Sequence, residues 1–155
     1  MKQPWNHNIH YHPQVLRAVP AGAERALDIE YVLGDFLEYP LEPESYDVIG
    51  SIATLHHVDA REGLLRMREL LRPGGVLVVI GLAREWLPRD LPQVVAGAAV
   101  HRVHRLTKGC WEHPSPTVWP PPVTYEEMRD HTMTLLPGAT FRRHLLFRYS
   151  ITWRK

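Results

Sequence analysis

The run Val76 to Ile80 constrains this chain more than any other feature. Pro73-Gly74-Gly75 precedes it and Gly81 follows it, so it is punctuated on both sides. Its unbroken apolar character suits a central strand covered on both faces, as in α/β proteins. Upstream, Asp59 and Glu62 have capping-box spacing for a helix striped with Leu64, Leu65, Met67, Leu70 and Leu71. Tyr46 to Ile52, before that helix, is an apolar run of strand length.

The same logic extends along the chain. Residues 1–24 read as a polar N-terminal arm, with a short helix from Pro13 through Val15, Leu16 and Val19 that stops at Pro20. Arg25 to Ile29 and Glu30 to Phe36 each read as a short strand, and together as one alternating strand with Leu27, Ile29, Tyr31 and Leu33 on one face. A helix is expected over Leu91 to Leu106, with Val94, Val95, Ala98, Ala99, Val103 and Leu106 on its apolar side. Thr124 and Glu127 form a second capping box, for a helix ending near Pro137-Gly138. Thr140 to Leu146 and Arg148 to Trp153 should close the chain as an antiparallel hairpin. The pattern is that of an open α/β sheet with an antiparallel edge, and 155 residues suit a single domain, 1–155. Sites in such sheets lie outside the carboxyl ends of the parallel strands.

Composition narrows the partners. A formal net charge of +1 argues against nucleic acid or an anionic membrane as partner, and the only basic cluster is Arg142, Arg143, His144 and Arg148. The single cysteine, Cys110, cannot form an internal disulfide, which fits the cytoplasm. No targeting segment is evident, and the longest apolar runs, Val76 to Ile80 and Val94 to Val100, are too short to cross a bilayer.

Three segments, in order, carry a family likeness: Gly34-Asp35-Phe36, Tyr46 to Val58, and Leu70 to Ile80 with its Arg72-Pro73-Gly74-Gly75 turn. They resemble class I S-adenosylmethionine-dependent methyltransferases, and in particular small bacterial enzymes of the methyltransferase type 11 kind. The terminal hairpin is similar to the sixth and seventh strands of that fold. The resemblance implies a Rossmann-like open, mostly parallel sheet with an antiparallel C-terminal hairpin. It also implies S-adenosyl-L-methionine as cofactor, a small-molecule acceptor, and a substrate cover over residues 84–123. One part does not match. In the family the first strand ends in an acidic residue followed by a glycine-rich turn. Here Asp28 holds the acidic position, but Glu30 stands where the first glycine belongs and Glu30-Tyr31 already reads as the third strand. A turn, a helix, the second strand and another helix are missing, roughly 45 residues by the size of such units, so the fold is expected to be incomplete in its N-terminal half. Either the polypeptide lacks this segment and binds cofactor poorly, or the sequence as written closes over it. A Cα separation far from about 3.8 Å between Ile29 and Glu30 would reveal the second case.

By the resemblance, Asp28, Asp35, Phe36 and Ile52 are the cofactor-binding candidates, with Asp35 on the adenine amino group and Ile52 against the methionine portion. A turn role for Asp35 and core packing for Ile52 are the plain alternatives. His56 and His57 are candidates for a general base, of which at most one can face the crevice. Trp111 and His113, in a Trp- and Pro-rich loop, are candidates to line the acceptor. His7, His10 and His12 have spacing that would permit a metal, but no carboxylate or cysteine accompanies them, so an arm over the crevice is expected and no metal. His101 and His104, with Arg102 and Arg105, read as a solvated basic face. The rival to an enzyme is a methyltransferase relic that acts as a binding or scaffolding protein.

Overall fold

The computed structural model describes residues 5–29, 35–108 and 118–155. In chain order the elements are α1 (His7–Ala18), β1 (Ala26–Asp28), β2 (Tyr46–Ile52), a 3-10 turn (Leu55–His57), α2 (Ala60–Leu70) and β3 (Leu71–Gly81). Then come α3 (Leu91–Lys108), α4 (Tyr125–Leu135), β4 (Thr140–His144) and β5 (Arg148–Arg154). The strands form one sheet in the order β1-β2-β3-β5-β4. β1, β2 and β3 pair in parallel, and β5 runs antiparallel to both β3 and β4.

The expected central strand is β3, and Val76 to Gly81 are all buried. Strand alternation sends its side chains to two cores. On one face Leu77 and Val79 pack with Ile49, Ile151 and Trp153 beneath α2 and α4. On the other, Val76, Val78 and Ile80 meet Tyr11, Val15 and Ala18 of α1. Burying one such aliphatic side chain is worth about 1.5–3 kcal/mol, so these two layers hold the sheet. Both capped helices start where their caps stand. Asp59 Oδ1 accepts from the amides of Arg61 and Glu62, each at 2.9 Å. Thr124 and Glu127 form the full reciprocal box. Below the sheet, Asp47 accepts the amides of Glu24 and Arg25 and pairs with Arg72, which fixes the chain entering β1 and holds its carboxyl below the usual range.

Several expectations are corrected. The first helix begins at His7, not Pro13, because Asn6 Oδ1 caps it by accepting from the Ile9 amide at 2.8 Å. β1 ends at Asp28, so no single strand runs from 25 to 36. Asp35 to Glu38 form a turn, while residues 30–34 lie outside the described residues. Among the described residues β1 has no strand on its outer side. The helix α3 shows its expected apolar side to solvent: Val95, Val103 and Leu106 are exposed, and Gly97 is its one buried residue. The reason is the hairpin turn, whose Phe147 ring approaches so closely that a Cβ at Gly97 would lie 3.4 Å from it. Here closeness of backbone decides the inward face.

Candidate active site

The carboxyl ends of β1, β2 and β3 lie together at one end of the sheet, the end at which open α/β sheets carry their sites. β2 delivers Ile52 and then the 3-10 turn with His56 and His57. β3 delivers Gly81, after which Arg84 bridges to Thr124 at the start of α4. The antiparallel strand β5 begins at this same end, with Tyr149 in register with Gly81. α1 covers one side. Tyr11 donates to the Leu145 carbonyl at 2.7 Å, and Asn8 reaches Arg148.

The two histidines differ in burial, His56 buried and His57 exposed, yet their rings do not diverge: the centroids are 4.0 Å apart. Burial first, then His57 and Arg148, push His56 down to about 4, so it is a neutral imidazole at pH 7. Its Nδ1 is buried and has no hydrogen-bond partner. Ser51 Oγ, Arg148 Nε and Tyr149 Oη are likewise buried and unpartnered. Buried polar atoms are nearly always satisfied; of these four, Arg148 and His56 lie close enough for the guanidinium to act on the imidazole, while Tyr149 belongs to the opposite face with Ile151 and Trp153.

Arg148 is the residue that sequence reasoning misplaced. In β5 it alternates with Ser150 and Thr152, against Tyr149, Ile151 and Trp153, which reads as a solvent face. α1 covers that face instead. The expected basic cluster is therefore no patch: Arg148 is buried, Arg143 pairs with Asp90 at 2.6 Å, and His144 bonds Ser150 Oγ at 2.7 Å. The solvated face expected for His101 and His104 is also corrected. His101 Nδ1 lies 2.8 Å from His7 Nε2, and both helix α3 histidines pack on Trp5. His10 joins them at 5.4 Å from the ring of His104. No group of three potential metal ligands exists among the described residues.

The structure does not gather the cofactor candidates into one cavity among the described residues. Asp28 ends β1 opposite Gly50. Asp35 Oδ1 accepts from the Leu37 amide at 2.9 Å, a side-chain turn, and Phe36 is in the core. Ile52 packs against Tyr11. Trp111 and His113 lie outside the described residues. A separate cleft of about 260 Å³ between Trp86, Asp90, Tyr125, Arg129 and Arg143 has its cations answered by its own acids, Arg89 on Glu126 and Arg143 on Asp90.

An open α/β sheet with five strands in this order is a Rossmann-like architecture. A family model for the methyltransferase domain matches residues 7–79. An uncharacterized methyltransferase of Mycobacterium tuberculosis is 32% identical over 195 aligned positions, covering 99% of this chain and 98% of its own length. The fold matches a solved S-adenosylmethionine-dependent methyltransferase of Thermotoga maritima, described as a possible histamine N-methyltransferase. It does so at TM-score 0.53 and 14% identity, over 92% of this chain and 86% of that one. The chain spans 53% of a further solved methyltransferase, from Aquifex aeolicus, at TM-score 0.46 and 12% identity over 79% of this chain. This chain belongs to the class I S-adenosylmethionine-dependent methyltransferase family. Set against its own 155 residues, the 195-position alignment leaves at least 40 positions of the mycobacterial relative without a counterpart.

Proposed function

We propose that the crevice transfers a methyl group from S-adenosylmethionine to a small-molecule acceptor, with His56 as the base. The orphaned, buried Nδ1 of His56 carries this reading. The cofactor, when bound, would supply an electrophilic sulfonium methyl, with the thioether S-adenosylhomocysteine as the leaving group. Asp28, Asp35, Phe36 and Ile52 are the residues that would hold it along the ends of β1 and β2. The family resemblance, rather than their contacts, assigns them to its adenosine side. No glycine turn follows β1 in the sequence to cradle its amino-acid end. The acceptor side rests on this chain's own groups. His56, neutral at pH 7, takes a proton from the acceptor at Nδ1. α1 with Tyr11 and Asn8 keeps water from the reacting atoms. Trp111 and His113 are proposed to complete the acceptor wall.

Calorimetry with S-adenosylhomocysteine tests the reading. Saturable binding to the 155-residue chain is expected, weakened by the absent turn. No binding at all would sink it and leave the second reading, a relic that binds or scaffolds, which the unpaired outer side of β1 among the described residues favours. Once an acceptor is found, His56→Ala should lower turnover by about 10²–10⁴-fold. His57→Ala should change it little, and equal turnover in both variants removes the base assignment.

A further inference from the structure

We infer that the acceptor carries a carboxylate and that Arg148 is the residue that binds it. Arg148 is 7% exposed, and among the described residues its hydrogen bonds go to neutral oxygens. Nη1 donates to the Phe147 carbonyl at 3.2 Å and Nη2 to Asn8 Oδ1 at 3.0 Å, while Nε is buried without an acceptor. Two of five N–H groups are thus used. Among the described residues no carboxylate forms an ion pair with it, although Arg25, Arg66, Arg72, Arg89, Arg129 and Arg143 each have one.

The groups that feel its charge are uncharged at neutral pH: His7 and His56, both held well below the usual histidine range, and Tyr11 and Tyr125, both raised by burial. Burial brings the guanidinium down to about 10, which leaves it cationic at neutral pH. An uncompensated buried charge is among the costliest features a protein can keep. It is retained where an anion arrives to answer it.

The backbone leading to it is also held at a cost. Leu146 and Phe147 have φ of 63° and 60° in the β4–β5 turn, a left-handed conformation that side chains other than glycine adopt with strain. Leu146 is buried, Phe147 packs at Gly97, and the next residue is Arg148. Two bulky residues in a turn suited to Asn-Gly thus fix where the guanidinium points.

The anion's chemistry follows from the fork. One unpaired cation balances one negative charge, and a planar carboxylate matches Nε and a terminal nitrogen side by side. A phosphate would bring closer to two charges. A carboxylate seated there also cancels the repulsion Arg148 exerts on a protonated His56, so the histidine becomes a better base only when the acceptor is in place.

This inference rests on the methyl-transfer reading, and its test separates the two. Thermal unfolding of the full chain is followed with succinate, benzoate and inorganic phosphate, in wild type, Arg148→Met and Arg148→Lys. S-adenosylhomocysteine binding is measured in parallel. Expected are a saturable rise in Tm of wild type with succinate or benzoate, no rise for Arg148→Met, and at least a tenfold weaker effect in Arg148→Lys, which keeps the charge but not the fork. Without ligand, Arg148→Met should melt no lower than wild type, because it removes an unanswered charge.

Carboxylate protection that persists in Arg148→Met, or that phosphate alone provides, overturns the inference. So does an Arg148→Met chain that melts lower while no carboxylate protects wild type. If Arg148→Met loses S-adenosylhomocysteine binding together with carboxylate protection, the guanidinium holds the cofactor's own carboxylate and the acceptor assignment falls, with methyl transfer left standing. Carboxylate protection in a wild type that binds no S-adenosylhomocysteine upholds the anion site and sinks methyl transfer alone.

Discussion

Gly81 lies against the ring of Tyr149, and a Cβ there would collide with the ring's Cζ and Oη. Tyr149 is fully buried and stacks on Phe141 at 5.3 Å, so it has little room to yield. Gly81→Ala should therefore cost about 1–3 kcal/mol, read from urea unfolding. Histidines set the response to acid. His7 and His56 are each held down at about 4 in the folded protein, against about 6.5 when unfolded. Above pH 6.5 both are neutral in either state, and their contribution is complete. As pH falls from 6.5 through 4 the unfolded chain takes up protons first, so stability drops across that window. His10, His104 and His144 are lowered as well and add in the same direction. Denaturant unfolding at pH 7.5 and 5.0 checks this, and His7→Phe with His56→Gln should flatten the difference. At this scale the sequence placed His56 just after a strand end, and the structure has it in the 3-10 turn after β2. Arg148 was hidden, since its alternation with Ser150 and Thr152 reads as a wet face until α1 is laid over it.

Elements whose ends carry local chemistry were readable in advance. Asp59 and Thr124 announce α2 and α4, and Thr124→Ala should remove about 1 kcal/mol of stability, measured by thermal or denaturant unfolding, because both halves of its box are made. β2, β3 and the hairpin likewise stand where apolar runs and turns place them. Elements fixed by tertiary contact were not readable. α3 turns its apolar stripe outward because Phe147 and the Trp5–histidine cluster occupy its other side. The strand expected over residues 30–36 falls mostly outside the described residues, which resume at Asp35, whose side chain bonds the Leu37 amide in the way a short acid does in a turn. Periodicity reports that a face is apolar, and packing decides which way it looks.

For the whole molecule, the sheet order β1-β2-β3-β5-β4 leaves β1 as an edge among the described residues. The family resemblance puts two further strands beyond it. The sequence breaks from the family after Ile29, and the mycobacterial relative has at least 40 positions more than this chain supplies. The acceptor side proposed above draws on α1, the turn after β2, and the start of β5. The central claim is that this chain is a methyltransferase with its acceptor side in place and its cofactor cradle reduced. Calorimetric titration with S-adenosylhomocysteine tests it most directly, on the chain itself and on a chain with the relative's extra segment grafted between Ile29 and Glu30. The account predicts weak binding by the first and binding at least tenfold tighter by the second. Equal affinity in the two chains, or no binding by either, would contradict it.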